Sequence, residues 1–436
     1  MKLDNLHPRE QIAEIMHRVY SFGMTTTSGG NISIRDDEGG LWITPSAVDK
    51  GALRPDDVVY VAPDDTVYGL HKPSSELPFH RAIYHARPDV GSVLHGHPPG
   101  LVAFSIVRQV PDTRVIPQVR HVCGPVGYAP YELPGSAELG RGIASIFANG
   151  VNAVIMENHG TVMAGSSLSD TFQRFETLES CARTILDASS LGDVHRLSEE
   201  QLARFGEQKN VFPEFAPSGA SAKERELRSE LRRMVRRAYE QQLIISTYGT
   251  FSCRVHDDAF LITPYGIDRY YVEREDLVLI DGGYREVGKT PSRSAQLHDR
   301  IYKDHPQINS IISAQSPHAA AHAVAGKTLD TRTIPESYVL LRDIPLVPYG
   351  DQFGEGVEIS RTLSPETPIL MLANDSILVT GSSLAETFDR LEVCEFSARS
   401  LIESRSIGEM VPMSDSDIQR LNEAFFGATK GERDAD

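Results

Sequence analysis

Cysteine is scarce: four residues in 436, Cys123, Cys181, Cys253 and Cys394, all far apart. With no CxxC spacing, neither a disulfide framework nor a cysteine zinc site is indicated, and inert buried thiols are expected. Long apolar runs are missing too. The opening segment, MKLDNLHPREQI, has no hydrophobic leader, so neither a signal sequence nor a membrane span is read and a cytoplasmic protein is expected. Basic residues are in deficit, 43 Lys and Arg against 60 Asp and Glu, for a net charge of −17. That balance argues against nucleic acid or an anionic membrane as partner. What is present is apolar material, 40% of the chain. The length exceeds one ordinary core, so two domains are expected.

Read in order, a helix from Pro8 to about Phe22 is followed by a small-residue loop, Thr25 to Asn31. Strands are expected at Ile32–Arg35, Leu41–Thr44 and Val58–Val61, then a helix after Pro73 and a strand ending in His95-Gly96-His97. Strands at Asn152–Met156 and Thr161–Ala164 precede a long helix from Ser167 to about Leu186. This is an α/β pattern, a mixed sheet flanked by helices.

The pattern then recurs. GSSLSDTFQRFETLESCARTIL from Gly165 returns as GSSLAETFDRLEVCEFSARSLI from Gly381, and Leu41-Trp42-Ile43-Thr44-Pro45 returns as Phe260-Leu261-Ile262-Thr263-Pro264. His80-Arg81-Ala82-Ile83-Tyr84 returns as His298-Asp299-Arg300-Ile301-Tyr302. Two tandem domains are therefore expected, 1–212 and 224–426, joined by a linker over 213–223 of proline, serine and alanine character. The second opens with a helix from about Lys223 to Gln242, and 427–436 reads as a frayed tail.

Candidate chemistry is confined to the first copy. His95 and His97, two residues apart in a strand, point to one side. With Glu76 and a third imidazole at His159 they suggest a transition-metal site. Each motif alone has a plainer reading: an incidental HxH, an Asn-His-Gly turn, and an acid near a helix start. The repeat weighs against those readings. Aligned blocks set Glu76 against Ser294, His95 against Ser313, His97 against Gln315 and His159 against Asp375, so all four are lost together while the structural blocks persist.

In this order, Ser28-Gly29-Gly30-Asn31-Ile32-Ser33, Ile43-Thr44-Pro45-Ser46, Pro73-Ser74-Ser75-Glu76, His95-Gly96-His97 and Asn158-His159-Gly160 closely resemble the class II aldolase/adducin family, of the fuculose-phosphate aldolase type. The resemblance covers residues 8–190, with a degenerate copy over 225–420. It implies that His95, His97 and His159 hold a divalent metal, zinc first and manganese as the alternative, with three ligands leaving positions open for substrate. Glu76 would be the general acid/base, and an occasional fourth ligand. The implied reaction cleaves a short phosphorylated ketose through a metal-bound enediolate. The alternatives are decarboxylation, epimerisation or dehydration of a sugar acid or sugar phosphate, and a non-catalytic adducin-like assembly role.

The resemblance further implies an anion pocket from Ser28, Gly29, Gly30, Asn31, Thr44, Ser46, Ser74 and Ser75. Two departures stand out. Ala47 replaces the glycine expected after Ser46, and its methyl disfavours positive φ. Arg120 and His121 replace the tyrosine with which such aldolases protonate the aldehyde oxygen, and His121 is a candidate acid. Such proteins form four-fold rings, so a homodimer making a pseudo-four-fold ring is expected, with Tyr338 of the second copy reaching across a boundary.

Overall fold

The structure, a computed structural model, describes residues 3–207 and 212–427. Residues 428–436, most of the expected tail, lie outside the described residues. Two compact units divide the chain, Met1–Leu186 and Asp187–Asp436. Among the described residues no helix is long and apolar enough to cross a membrane.

In the first unit α1 (Pro8–Ser21) starts at a reciprocal cap: His7 accepts the Arg9 N–H while Glu10 accepts the His7 N–H. The strands are β1 (Asn31–Arg35), β2 (Leu41–Ile43), β3 (Val59–Val61), β4 (Val67–Tyr68), β5 (Ser92–Gly96), β6 (Val126–Ala129), β7 (Ala153–Met156) and β8 (Gly160–Gly165). They form one sheet in the order β4-β3-β2-β1-β5-β8-β7-β6. All pairs are antiparallel except β6 beside β7. Helices α2 (Leu77–Ala86), α3 (Pro99–Ile106), α4 (Pro117–Cys123), α5 (Ala137–Phe147) and α6 (Leu168–Leu191) complete it.

Alternation along the strands sorts the faces. Phe79 and Ile83 of α2 and Leu139, Ile143 and Phe147 of α5 share a core with Val93, Val154 and Val162. On the other side, Phe175 of α6 presses on Gly96, and Thr171 donates to the Ser92 carbonyl at 3.2 Å. There Arg18 of α1 meets Glu176 of α6 at 3.7 Å, both buried. Removing either partner would leave an uncompensated buried charge, at about 3–5 kcal/mol.

The second unit repeats the plan. It holds α7 (Glu199–Glu207), β9 (Glu214–Phe215), α8 (Ala222–Glu240), β10 (Thr250–His256), β11 (Ala259–Ile262), β12 (Val278–Asp281), β13 (Tyr284–Glu286) and α9 (Ala295–Asp304). Then come β14 (Ser310–Ala314), α10 (Pro317–Ala325), α11 (Pro335–Leu341), β15 (Leu346–Val347), α12 (Val357–Thr362), β16 (Ile369–Leu372), β17 (Ile377–Gly381), α13 (Leu384–Ser404) and α14 (Asp415–Phe425). The sheet order is β15-β16-β17-β14-β10-β11-β12-β13-β9. The stretch read as a linker contains β9, which adds in parallel to the edge of β13. Backbone pairing engages two residues there in spite of the flanking prolines.

Register confirms the alignment of the copies. Asn31 pairs with His95 across β1 and β5, and Thr250 pairs with Ser313 across β10 and β14. A buried cation braces the same turn in each: Lys50 Nζ donates to the Pro45 carbonyl at 2.6 Å and Arg269 Nη1 to that of Pro264 at 3.0 Å. Burial pushes Lys50 down to about 8 and Arg269 down to about 10.

Candidate metal centre

Strand alternation places His95 on the α2 face, next to Val93 and opposite Asn31. Glu76 stands at the N-cap of α2, one residue before the helix rather than inside it. His97 lies past the end of β5, not within the strand. Its N–H turns to the Met24 carbonyl at 3.1 Å, because Pro98 and Pro99 already commit the chain to α3. His159 follows Asn158, whose φ of 50° makes the tight β7–β8 turn. Ring centroids lie 4.7 Å apart for His95 and His97, 4.8 Å for His95 and His159, and 5.4 Å for His97 and His159. One nitrogen from each ring falls within 4.8 Å of the others.

Protonation follows from the partners. His95 Nδ1 lies 2.9 Å from the Thr161 carbonyl. A carbonyl only accepts, so the proton is on Nδ1 and the lone pair on Nε2. That Nε2 is buried without a hydrogen-bond partner and sits 3.3 Å from Glu76 Oε2. Glu76 Oε1 is 3.5 Å from His159 Nε2. A lone pair facing a carboxylate oxygen is repulsive unless a cation or proton lies between them. Burial, then the neighbouring rings of His97 and His159, holds His95 well below the usual histidine range. Burial likewise lowers His97, with His159 adding to the shift, and lowers His159 against the opposing pull of Glu76. Neutral imidazoles are the metal-binding form, so the donor set fits a divalent transition metal.

Glycine is required where the loops close on the site. A Cβ at Gly29 would stand 2.8 Å from His97 Nδ1, and one at Gly160 would stand 2.6 Å from the Gly96 carbonyl. Gly30 has φ of 72° as well, with the His95 carbonyl 2.9 Å from any Cβ there. The Ser28–Asn31 loop is therefore pressed, through Gly29 and Gly30, against His97 and the His95 backbone.

The other expected site residues divide. Asn31 is buried, and its Nδ2 donates to Glu76 Oε2 at 2.6 Å. Ser28 and Ser75 are exposed. Ser74 uses its N–H on the Thr44 carbonyl and its hydroxyl on the Glu76 N–H. The Thr44 hydroxyl accepts the Ile32 N–H at 3.2 Å, as Thr263 does from Phe251, which makes it a fold contact common to both copies. Ser46 reaches the Lys72 carbonyl. Ala47 adopts φ of 56° despite its methyl, and Gly266 takes the equivalent position at 71°, so the tight turn is built without the glycine. His121 is exposed on α4, whose inner side packs on α6 through the bond from Arg174 to the Val122 carbonyl. Tyr338 donates its hydroxyl to Asn422 of α14 at 3.1 Å. His80 escaped the sequence reading as a site residue: it bonds Asn31 Oδ1, and its only signal was the repeated His…Tyr block.

The second copy keeps the frame without the ligands. Asn374 repeats the positive φ at 53°. Asp375, where His159 would be, is pushed up to about 6 by burial, against hydrogen bonds from Ser376, Gln352 and Gln315 that lower it. Among the described residues, the only cluster of three suitable groups is the one in the first copy.

Comparison with known proteins identifies the family of the chain. The family profile described as "Class II Aldolase and Adducin N-terminal domain" matches residues 10–186 and again 229–402. The 5-deoxy-D-ribulose 1-phosphate aldolase of Bacillus thuringiensis is 32% identical over 44% of this chain and 91% of its own. The 3-oxo-tetronate 4-phosphate decarboxylase of Escherichia coli is also 32% identical, over 41% of this chain and 85% of its own. Among solved structures, an L-fuculose 1-phosphate aldolase is 26% identical with a TM-score of 0.41, covering 45% of this chain and 92% of that one. With both halves matched by the family profile, over residues 10–186 and 229–402, the chain belongs to the class II aldolase and adducin N-terminal domain family.

Proposed function

We propose that the first copy is a metal-dependent carbon–carbon lyase acting on a short phosphorylated ketose or sugar-acid phosphate, and that the second copy is catalytically silent. The observation that carries this reading is the convergence of His95, His97 and His159 with Glu76 at 3.3 and 3.5 Å, in a chain whose second copy keeps the backbone and loses all four. His95, His97 and His159 would hold the cation, zinc first and manganese as the alternative. Bound there, it would supply Lewis-acid charge opposite the oxygen that becomes negative as the carbon–carbon bond breaks.

The chain's own residues do the rest. Glu76 carries the proton to and from the carbon beside the carbonyl, from a fixed position at the N-cap of α2. The exposed hydroxyls of Ser28 and Ser75 would be available to a phosphate. Helix α4 carries Arg120 and His121 where an aldolase is expected to hold a tyrosine. An aldehyde leaves only as its hydroxyl gives up a proton to a protein group, whereas carbon dioxide leaves from a carboxylate with no such proton to lose, so that substitution favours decarboxylation as the second reading. The homodimeric ring and the cytoplasmic location expected from the sequence are part of the same proposal.

The test is a panel of 1-phosphoketoses and 3-oxo sugar-acid phosphates, scored for release of dihydroxyacetone phosphate and of carbon dioxide, with elemental analysis alongside. Wild-type protein should carry one divalent metal per chain, and Glu76→Gln should keep the metal while losing turnover about 100-fold or more. Protein that binds no metal, or Glu76→Gln with undiminished turnover, refutes the assignment.

A further inference from the structure

The β7–β8 turn that carries His159 is fastened to helix α3 by one buried hydroxyl. Ser105, next to last in α3 and fully buried, donates from Oγ to the Met156 carbonyl at 2.7 Å and accepts the His159 N–H at 3.0 Å. The direction needs no assumption about charge. A carbonyl only accepts, so the hydroxyl hydrogen goes to Met156 and a lone pair is left for His159. A serine inside a helix ordinarily returns its hydroxyl to a carbonyl of the preceding turn, but Ser105 sends it out of its helix. The Ser105 carbonyl also accepts the Asn158 N–H, at 3.4 Å. Helix α3 is itself fixed at its start, where Glu179 of α6 accepts the N–H groups of Gly100 and Leu101 at 3.0 Å.

The other two imidazoles are held differently. His95 lies in a strand paired on both sides, to β1 and β8, and His97 is tied through its N–H to the Met24 carbonyl. His159 follows a residue at φ of 50° in a turn, a conformation that persists where the surroundings over-determine it. The second copy shows which restraints belong to the fold. Glu395 accepts the N–H groups of His318 and Ala319 at 3.1 and 3.0 Å, as Glu179 does for α3. The Ala323 carbonyl accepts the Asn374 N–H at 3.3 Å, and the Asp375 N–H bonds the Leu372 carbonyl at 3.1 Å, as His159 bonds that of Met156 at 3.2 Å. The hydroxyl is missing, because Ala323 stands where Ser105 does. The turn therefore closes without it, and the hydroxyl is absent where the histidine it touches is absent.

We infer that Ser105 is a positioning residue for the metal centre: its hydroxyl fixes the backbone of His159, and so the place from which that ring reaches the cation. The inference rests on the proposal that the three histidines hold a metal. The test titrates metal-free protein with cobalt(II) against a chelator of known affinity and records the visible spectrum of the bound ion, which reports its coordination geometry. Ser105→Ala is expected to weaken cobalt binding about 10-fold or more and to alter the spectrum. The Met156 carbonyl and the His159 N–H still bond each other in that variant, so the urea midpoint of the metal-free protein should stay within about 0.5 M of wild type. Unchanged affinity overturns the inference. Weaker binding with the wild-type spectrum also overturns it, because the hydroxyl would then support the fold in general and not the placement of one ligand. Wild-type protein that takes up no cobalt refutes the proposed function instead.

Discussion

Acid is expected to weaken the second copy through one buried ring. His298 is fully buried, and burial pushes it down to about 3 from an ordinary value of 6.5. Between those values the unfolded chain takes up a proton that the native protein refuses. The stabilising effect is therefore complete above pH 6.5 and is lost as pH falls toward 3. At pH 5 the gap is about 1.5 pH units, or about 2 kcal/mol. Asp375, raised to about 6 by burial, acts in the opposite direction, since the native state gains its proton first. That contribution is common to wild type and His298→Gln and cancels when the two are compared. The assay is urea unfolding of both proteins at pH 7 and pH 5, followed by circular dichroism and fitted transition by transition. Wild type should lose about 2 kcal/mol more than His298→Gln on acidification. Equal losses would show that the ring is not held neutral, and the burial argument would fail with them.

Other consequences are simpler to measure. His95→Ala or His97→Ala should reduce bound divalent metal from one per chain to none after dialysis, read by elemental analysis, because two imidazoles remain where the donor set needs three. Ala47→Gly should stabilise the protein by up to about 1 kcal/mol in urea titration, whereas Gly266→Ala should destabilise it by about 1 kcal/mol or more. Nothing lies within 4 Å of a Cβ at Gly266, so its φ of 71° alone sets that cost. Arg269→Leu should lower stability by about 3 kcal/mol or more. Its guanidinium serves the carbonyls of Tyr248, Gly249, Pro264 and Ile267 at 2.8–3.2 Å, and an apolar side chain leaves those buried acceptors unpaired.

Sequence alone determined the duplication, the α/β class and the identity of the four residues that converge. Helical spacing and strand alternation are local properties, and comparing Glu76, His95, His97 and His159 with Ser294, Ser313, Gln315 and Asp375 needs no coordinates. Only tertiary structure decided the rest. The strand containing His95 stops at Gly96, so His97 joins its partner through a turn into α3, not through pleat alternation. Thr44 and Ser74 spend polar groups on the backbone, Ala47 accepts a conformation its methyl disfavours, and Asn31 faces Glu76. These outcomes depend on which donor meets which acceptor across dozens of residues of intervening chain. Residue type specifies what a group can bond, but the packing of β1, β5 and α2 selects the partner.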